Sequence, residues 1–224
     1  MSVGALGISI ARFIDHTNLK PDATDNDIIK LCQEAKHYGF AAVSIHPPFV
    51  ALAAEQLKDT PVKVGTVVGF PSGEHTPEVK ELEARLAVEH GADEVDMMIP
   101  VGQLKMGRLD VVKDDIASVV DVVDGAAIVK VILETCLLTE DEIIRGCEIA
   151  VEAGAAFVKT STGFSKEGAT LEAVALMRKT VGPKFGVKAA GGIRSLAKAR
   201  AFLAAGANRI GTSSSIQIIE GKQQ

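Results

Sequence analysis

Short apolar runs rich in Val, Ile and Ala alternate along the chain with longer segments of helical periodicity. Runs of this kind, bounded by glycine or polar residues, are typical of buried strands, and apolar spacing of three and four is typical of amphipathic helices. Such an alternation implies strands joined by helices, and therefore a parallel sheet. We predict eight strands, at Arg12–Asp15, Ala41–His46, Lys63–Gly69, Glu94–Ile99, Ala127–Glu134, Phe157–Thr162, Gly186–Gly192 and Arg209–Thr212.

One join recurs four times, in which a helical stretch ends at a glycine and a β-branched strand residue follows four positions later. Glycine ends helices because it adopts the left-handed conformation without steric cost. Eight strand–helix units without a break in composition predict a single domain over residues 1–224, an α/β (β/α)8 TIM barrel. The alternative is an open doubly wound sheet, but no GxGxxG follows the first strand. The four glycines are Gly39, Gly91, Gly154 and Gly206.

Three helix starts carry capping signals. Thr76 precedes a proline at the first helical position, and Leu82 and Leu86 form the expected apolar face of that helix. Thr139 and Glu142 have the spacing of a capping box, and a serine opens the third helix. The three predicted helices are Thr76–His90, Thr139–Gly154 and Ser195–Gly206.

Composition narrows the class of protein. The chain is 47% hydrophobic but only 4% aromatic, so aliphatic side chains must fill the core. A net charge of −5 without basic clusters argues against nucleic-acid or membrane partners. Three scattered cysteines without a CxxC motif favour reduced thiols, and residues 1–11 lack a secretory signal pattern. We therefore expect a soluble, cytoplasmic protein.

Lysines occur inside three predicted strands, at Lys130, Lys159 and Lys188. Burying an ammonium is costly unless it is paired or neutralised, and a neutral amine can attack a carbonyl to form a Schiff base. Lys159 and Lys188 lie on consecutive strands about 4.8 Å apart, so each charge should destabilise the other and make one lysine a nucleophile. Alternatively, the lysines form a structural polar core with acids on facing strands. One such acid is Asp96, which is either a proton relay or a static counter-ion.

Small polar residues end the seventh and eighth strands, at Gly191–Gly192 and Gly211–Ser214. Loops at these strands are the usual phosphate site of a (β/α)8 barrel, because glycines let backbone N–H groups approach the anion. The five histidines show neither HxH nor HExxH spacing, so we expect no metal site. Nothing resembles a Ser-His-Asp nucleophile motif.

Six motifs, in this order along nearly the whole chain, resemble the deoxyribose-phosphate aldolase family. The resemblance implies a cofactor-free, metal-free (β/α)8 enzyme that breaks down deoxyribose phosphate. Such an enzyme reversibly cleaves 2-deoxy-D-ribose 5-phosphate to D-glyceraldehyde 3-phosphate and acetaldehyde through a lysine Schiff base. The motifs are Asp15–Pro21, Glu94–Met97, Val129–Thr135, Val158–Gly163, Lys188–Arg194 and Gly211–Ser214.

By this similarity Lys159 is the Schiff-base lysine, Lys188 lowers its pKa and shares proton transfer, and Asp96 completes the relay. The expected ligands are a phosphorylated sugar and aldehydes, and a homo-oligomer, dimer or tetramer, is expected. The expected substrate and phosphate contacts are Gly163, Gly191, Gly192, Ser213, Ser214, Asp15, Thr17, Lys130 and Thr162.

The chain departs from the family pattern at three places. Some members carry a cysteine where Ser44 stands, and some carry a phosphate-binding lysine where Phe164 stands. Some end in a tyrosine that assists enamine protonation, whereas residues 218–224 contain none. We expect the last helix to start near Ser213 and a mobile tail at residues 221–224 that supplies no general acid. Enamine protonation must then come from an inner water near Asp96, Lys188 and Thr160 or Ser161.

Two other functions remain open from the residues. A sugar-phosphate isomerase on the same barrel would use general acid–base chemistry without an imine. A non-catalytic sugar-phosphate-binding protein would keep the phosphate loops but would not need the lysine pair. The class I aldolase is the interpretation that uses both features.

Overall fold

The computed structural model describes residues 10–221, in which eight parallel strands close into a barrel in chain order. The last strand closes on the first, with Ile210 opposite Ile14. The closed order confirms the predicted (β/α)8 barrel and rules out the open sheet. The strands are β1 (Ile14–Asn18), β2 (Ala42–Ile45), β3 (Lys63–Val68), β4 (Glu94–Met98), β5 (Ile128–Ile132), β6 (Phe157–Lys159), β7 (Gly186–Ala190) and β8 (Arg209–Thr212).

Helices follow each strand and surround the barrel. Short 3₁₀ turns at Pro47–Phe49 and Thr135–Leu137 follow β2 and β5. None of the helices within residues 10–221 is long and apolar enough to cross a membrane. The helices are α1 (Asp25–Tyr38), α2 (Val50–Leu57), α3 (Pro77–Glu89), α4 (Val101–Lys105), α5 (Leu109–Val123), α6 (Glu140–Glu152), α7 (Leu171–Val181), α8 (Leu196–Ala204) and α9 (Ser215–Glu220).

The four predicted glycine joins are confirmed. Gly39, Gly91, Gly154 and Gly206 have φ angles of 67°, 100°, 82° and 111°, in the region that side chains disfavour. Each glycine reverses the chain at the end of a helix and returns it to the start of the next strand.

Two predicted strand ends, those of β1 and β6, differ from the structure by three residues. β1 does not end at Asp15, because the residues after it continue to pair with Val43–Ile45 of β2. β6 ends at Lys159 rather than Thr162, because the Thr162 N–H donates to the side chain of Glu134 instead of to a neighbouring strand. The residues after Lys159 therefore form a loop at the mouth of the barrel.

Helix caps agree with the sequence at two of three starts. Thr139 and Glu142 form the complete capping box, and the Ser195 hydroxyl accepts a hydrogen bond from the Lys198 N–H. Thr76 occupies the N-cap position of α3, but its hydroxyl makes no capping bond. Proline at the first helical position removes one backbone N–H that would need a hydrogen-bond partner, so this helix begins without a side-chain capping bond.

The apolar face predicted for α3 was wrong. Leu82 and Leu86 are 51% and 41% exposed, whereas Ala84 and Ala87 are buried against the barrel. Small alanines let the helix approach closely. The same buried face carries Lys80, whose ammonium is paired with Asp115 of α5 at 2.7 Å. The larger leucines therefore face outward, although their spacing is helical.

Candidate active site

Lys159 and Lys188 lie directly opposite each other on β6 and β7, as their sequence positions predicted. Both ammonium groups contact the same carboxylate oxygen, Asp96 Oδ2, at 2.8 Å and 2.7 Å. Asp96 reaches them across the barrel from β4. The structure thus brings together all three residues expected to perform the chemistry.

A cluster of positive charge keeps Asp96 ionised. Its second oxygen, Oδ1, accepts a hydrogen bond from the Lys130 ammonium at 2.8 Å. Burial alone raises the pKa of the Asp96 carboxyl, but the three surrounding lysines hold it well below its usual range. Asp96 is therefore a permanent anion around which the lysines are arranged.

The Lys159 ammonium loses its proton close to neutral pH. Burial lowers the pKa of its ammonium most, the Asp96 carboxylate opposes that effect, and the positive charge of Lys188 lowers the pKa again. The resulting pKa is about 8. At pH 7 about one tenth of the molecules then carry the neutral amine, which is the nucleophilic form.

The neighbouring strand makes room for Lys188. A side chain on Gly211 of β8 would place its Cβ 3.1 Å from Lys188 Cε. A side chain there would also lie 3.1 Å from the Ala190 Cβ, so the end of Lys188 or Ala190 would have to shift by a few tenths of an ångström. The absence of a side chain at Gly211 therefore leaves space for the end of Lys188. The strand pattern alone did not reveal this role of the glycine.

Below the lysine pair lies a second charged layer. The Asp15 carboxylate pairs with Lys188 and Arg209, and Glu94 pairs with Arg209 and with Lys130 at 2.7 Å. Asp15 and Lys130 were expected to contact substrate. Both lie in this layer, and neither is among the described residues that line the cavity. Burial opposes the shift, but the cations around Asp15 lower its pKa below the usual value.

Glu94 and Arg209 were missed by sequence reasoning. Each begins its strand and lies two residues before an inward-facing position, namely Asp96 on β4 and Gly211 on β8. Residues two apart on a strand place their side chains on the same face. This two-residue spacing was the sequence signal that could have identified Glu94 and Arg209. Their role becomes visible only when the six contributing strands meet inside the barrel.

A cavity of about 580 Å³ opens above the lysines at the carboxyl ends of the strands. Lys159 and Lys188 form part of its floor, where a substrate carbonyl can reach the amine. Asp96 lies beneath them and contacts both ammonium groups. The other predicted contacts that line the cavity are Thr17, Thr162, Gly163, Gly191, Gly192, Ser213 and Ser214.

The predicted phosphate loops meet on one side of the cavity. Gly191 and Gly192 have φ angles of 90° and 76°, which only glycine adopts readily, and Ser213 and Ser214 face them from the loop after β8. Arg194 also lines this side and adds a cationic side chain that sequence reasoning left without a role. The arrangement suits an anionic group of a ligand.

The Thr162 hydroxyl is already engaged within the protein. It donates to the Glu134 carboxylate and accepts from the Phe164 N–H at 3.1 Å. Glu134 is itself held in the left-handed region, with φ of 56°. Thr162 therefore supports the loop that carries Gly163, and its hydroxyl is committed to that loop.

Ser161 differs from its neighbours. The Thr160 hydroxyl bonds to the backbone of Ala190, whereas the buried Ser161 hydroxyl has no hydrogen-bond partner among residues 10–221. An unpaired buried hydroxyl is costly, so the Ser161 hydroxyl retains an unused capacity to bind a ligand or water.

The three departures from the family pattern have different locations. Phe164 lines the cavity, is 54% exposed and packs edge-on against Phe70, with ring centroids 5.4 Å apart. Ser44 is buried in β2 and is not among the described lining residues. The last helix begins at Ser215, close to the predicted start, and residues 222–224 of the predicted tail lie outside the described residues.

His16 is a structural link beside the cavity. Its Nε2 lies 2.7 Å from a Glu34 carboxylate oxygen of α1, and its Nδ1 lies 2.9 Å from the Ser215 hydroxyl of α9. Burial lowers its pKa, although Glu34 opposes the shift. Within residues 10–221 no group of three or more His, Cys, Asp or Glu side chains has an arrangement that could hold a metal ion.

Comparison with known proteins shows that the chain is similar to aldolases. Residues 9–218 match the family described as DeoC/LacD family aldolase. The deoxyribose-phosphate aldolase of Geobacillus sp. (strain WCH70) is 62% identical over 214 residues, covering 96% of both chains. That of Thermococcus gammatolerans is 60% identical over 219 residues, covering 96% of this chain and 97% of its own.

The fold comparison agrees. The solved structure of the deoxyribose phosphate aldolase from Aeropyrum pernix, described as tetrameric, has a TM-score of 0.90 to this chain. Its sequence is 34% identical, and the match covers 96% of this chain and 91% of that one.

Proposed function

Because the chain belongs to the DeoC/LacD family of aldolases, we propose that it reversibly cleaves 2-deoxy-D-ribose 5-phosphate to D-glyceraldehyde 3-phosphate and acetaldehyde. The names of its relatives support this substrate. One observation carries the proposal: Lys159, with a pKa of about 8, lies in the cavity floor and shares the Asp96 carboxylate with a second lysine. That arrangement suits a Schiff-base mechanism.

The reaction begins at the aldehyde carbon C1 of the open-chain sugar. The neutral Lys159 amine adds to C1 and forms a carbinolamine, which loses water to give a protonated imine. The positive nitrogen then attracts electrons from the neighbouring carbon–carbon bond. With a pKa of about 8, Lys159 has a neutral fraction near pH 7 that is available for this attack.

Cleavage breaks the C2–C3 bond, since the two products contain two and three carbons. A base removes the proton from the C3 hydroxyl, C3 becomes the aldehyde of glyceraldehyde 3-phosphate, and the bonding electrons move through C2 to the imine nitrogen. The resulting enamine takes a proton on C2. Addition of water then releases acetaldehyde and returns the free lysine, so one water is lost and one is consumed.

Lys188 and Asp96 handle these protons. The Lys188 ammonium lies beside Lys159 on the shared carboxylate, where it can donate to the carbinolamine oxygen. The unpaired hydroxyl of Ser161 can hold the water through which the enamine is protonated.

The phosphate is assigned to the side of the cavity formed by Gly191, Gly192, Ser213 and Ser214. Backbone N–H groups and serine hydroxyls there suit a phosphate, and the Arg194 side chain adds positive charge where Phe164 supplies none. We also propose a cytoplasmic location and a homo-oligomer, dimer or tetramer. The tetrameric Aeropyrum relative supports the assembly.

The test supplies 2-deoxyribose 5-phosphate and measures acetaldehyde release with an alcohol dehydrogenase and NADH. We expect release by the wild-type protein, none by Lys159→Met, and inactivation when borohydride is added with substrate. Lys184→Met is the matched control, because Lys184 is exposed and is not among the described residues that line the cavity. An isomerase would consume substrate without releasing acetaldehyde, and borohydride would not trap it.

A further inference from the structure

The charged side chains inside the barrel form a closed ring. Six of them alternate in sign around the circuit, and each one contacts the next: Asp96, Lys188, Asp15, Arg209, Glu94, Lys130 and back to Asp96. Strands β1, β4, β5, β7 and β8 supply them, and Lys159 of β6 is attached at Asp96. Their side chains are between 1% and 12% exposed.

Positive and negative charges are equal in number in the ring, and the Lys159 ammonium adds one further positive charge to it. The ring has three cations and three carboxylates, so a protonated Lys159 gives this enclosed cluster a net charge of +1. Loss of its proton leaves the cluster neutral. Net charge is expensive in a poorly solvated interior, so the balance of the whole ring favours the neutral amine.

We propose that Arg209 and Glu94 are positioning residues that determine, through the charge balance of this ring, the pH at which Lys159 becomes a nucleophile. The inference rests on the proposed function of Lys159 and extends it to residues remote from substrate. Neither residue is among the described residues that line the cavity.

Arg209 is placed to act through its neighbours. Its guanidinium contacts the Asp15 and Glu94 carboxylates together, and its carbon atom Cζ lies 5.9 Å from the centre of the Phe157 ring. Those two carboxylates in turn hold Lys188 and Lys130 against Asp96. Arg209 therefore fixes the ring from below and also contributes its positive charge.

The groups that face Lys159 from neighbouring strands are Asp96, Lys188 and Lys130. Arg209 is two strands away from Lys159, at roughly 10 Å. A unit charge at that distance, with an effective dielectric constant of about 20, shifts a pKa by about one unit. Removing a cation must raise the pKa of Lys159, and removing an anion must lower it.

The experiment measures the rate at which acetaldehyde and borohydride label Lys159 as a function of pH. We compare the wild-type protein with Glu94→Gln, Arg209→Met, the charge-balanced double variant and Arg209→Lys. We expect the midpoint of the profile to fall by about one pH unit in Glu94→Gln and to rise by about one in Arg209→Met. The double variant and Arg209→Lys should return close to the wild-type midpoint.

A purely structural role predicts something different, namely lower rates at all pH values with an unchanged midpoint. Unchanged midpoints, or shifts of the same sign in both single variants, would overturn the inference. If Arg209→Met does not fold, as judged by circular dichroism, the near-isosteric Glu94→Gln and the double variant still decide the question. Absence of any label on wild-type Lys159 would instead refute the proposed function itself.

Discussion

Replacing Lys188 by methionine removes the positive charge nearest to Lys159 while keeping an unbranched side chain. In the wild-type protein both ammonium groups contact Asp96 Oδ2, at 2.8 Å and 2.7 Å. After the substitution Lys159 keeps its contact with the carboxylate but no longer faces a like charge. The Lys159 ammonium should therefore become more stable.

The size of the effect follows from that geometry. Two nitrogens that contact one oxygen are at most about 5.5 Å apart, and at an effective dielectric constant of about 20 their repulsion is about 3 kcal/mol. This corresponds to about two pKa units. The pKa of Lys159 should thus rise from about 8 to the range of an ordinary lysine. The neutral fraction at pH 7 should fall about 100-fold.

The assay is the initial rate of imine formation with acetaldehyde, trapped by borohydride and followed between pH 6 and about 10.5, a range chosen to span both pKa values. In the wild-type protein the rate should rise with pH and level off above about 8. In Lys188→Met it should be about 100-fold lower at pH 7 and recover most of the loss at the alkaline end.

Trapping isolates imine formation from the later proton transfers that we propose for Lys188. Lys188→Arg, which keeps the charge, is the control and should retain a midpoint close to that of the wild-type protein. If Lys188→Met lowers the rate equally at all pH values, Lys188 does not control Lys159 by its charge, and the electrostatic reasoning is wrong.

Three further predictions follow from the site. Asp96→Asn should slow the solvent deuterium exchange of acetaldehyde, measured by NMR, far more than removal of residues 222–224 does. The truncation should change the exchange rate by less than about tenfold, or about 1.4 kcal/mol of barrier. Equal effects of the two changes would show that the tail takes part in the chemistry. Prolonged dialysis against EDTA should leave acetaldehyde release unchanged, and a loss restored by zinc would contradict a metal-independent mechanism. Thr162→Val should lower the free energy of unfolding, measured in urea, by about 1–3 kcal/mol, because the buried Glu134 carboxylate loses a hydroxyl donor. Thr162→Ser keeps the hydroxyl and should keep most of the wild-type stability.

The barrel and the lysine pair could be predicted because their signals are local and periodic. Strand–helix alternation and the glycine joins determine the order of the elements, and in a (β/α)8 barrel that order sets which strands are neighbours. Lys159 and Lys188 therefore had to lie side by side once both strands were recognised. Asp96 was identifiable as an acid inside the otherwise apolar segment Val95–Ile99.

Other features depend on contacts that no local pattern contains. Leu82 and Leu86 have the spacing of a buried face, but the alanines of α3 pack closer to the barrel, and the leucines are left exposed. Asp15 was expected to contact substrate from the family resemblance, yet its carboxylate pairs with Lys188 and Arg209 and is not among the described residues that line the cavity. The charge ring requires five strands to be placed together before it can be recognised.

The most direct test of the account is to locate the covalent bond to substrate. The protein is incubated with acetaldehyde, reduced with borohydride and digested, and the modified peptide is identified by mass spectrometry. The account predicts a two-carbon group on Lys159 and a loss of activity in proportion to labelling. A label on Lys188 or Lys130 instead, or full activity after reduction, would contradict it.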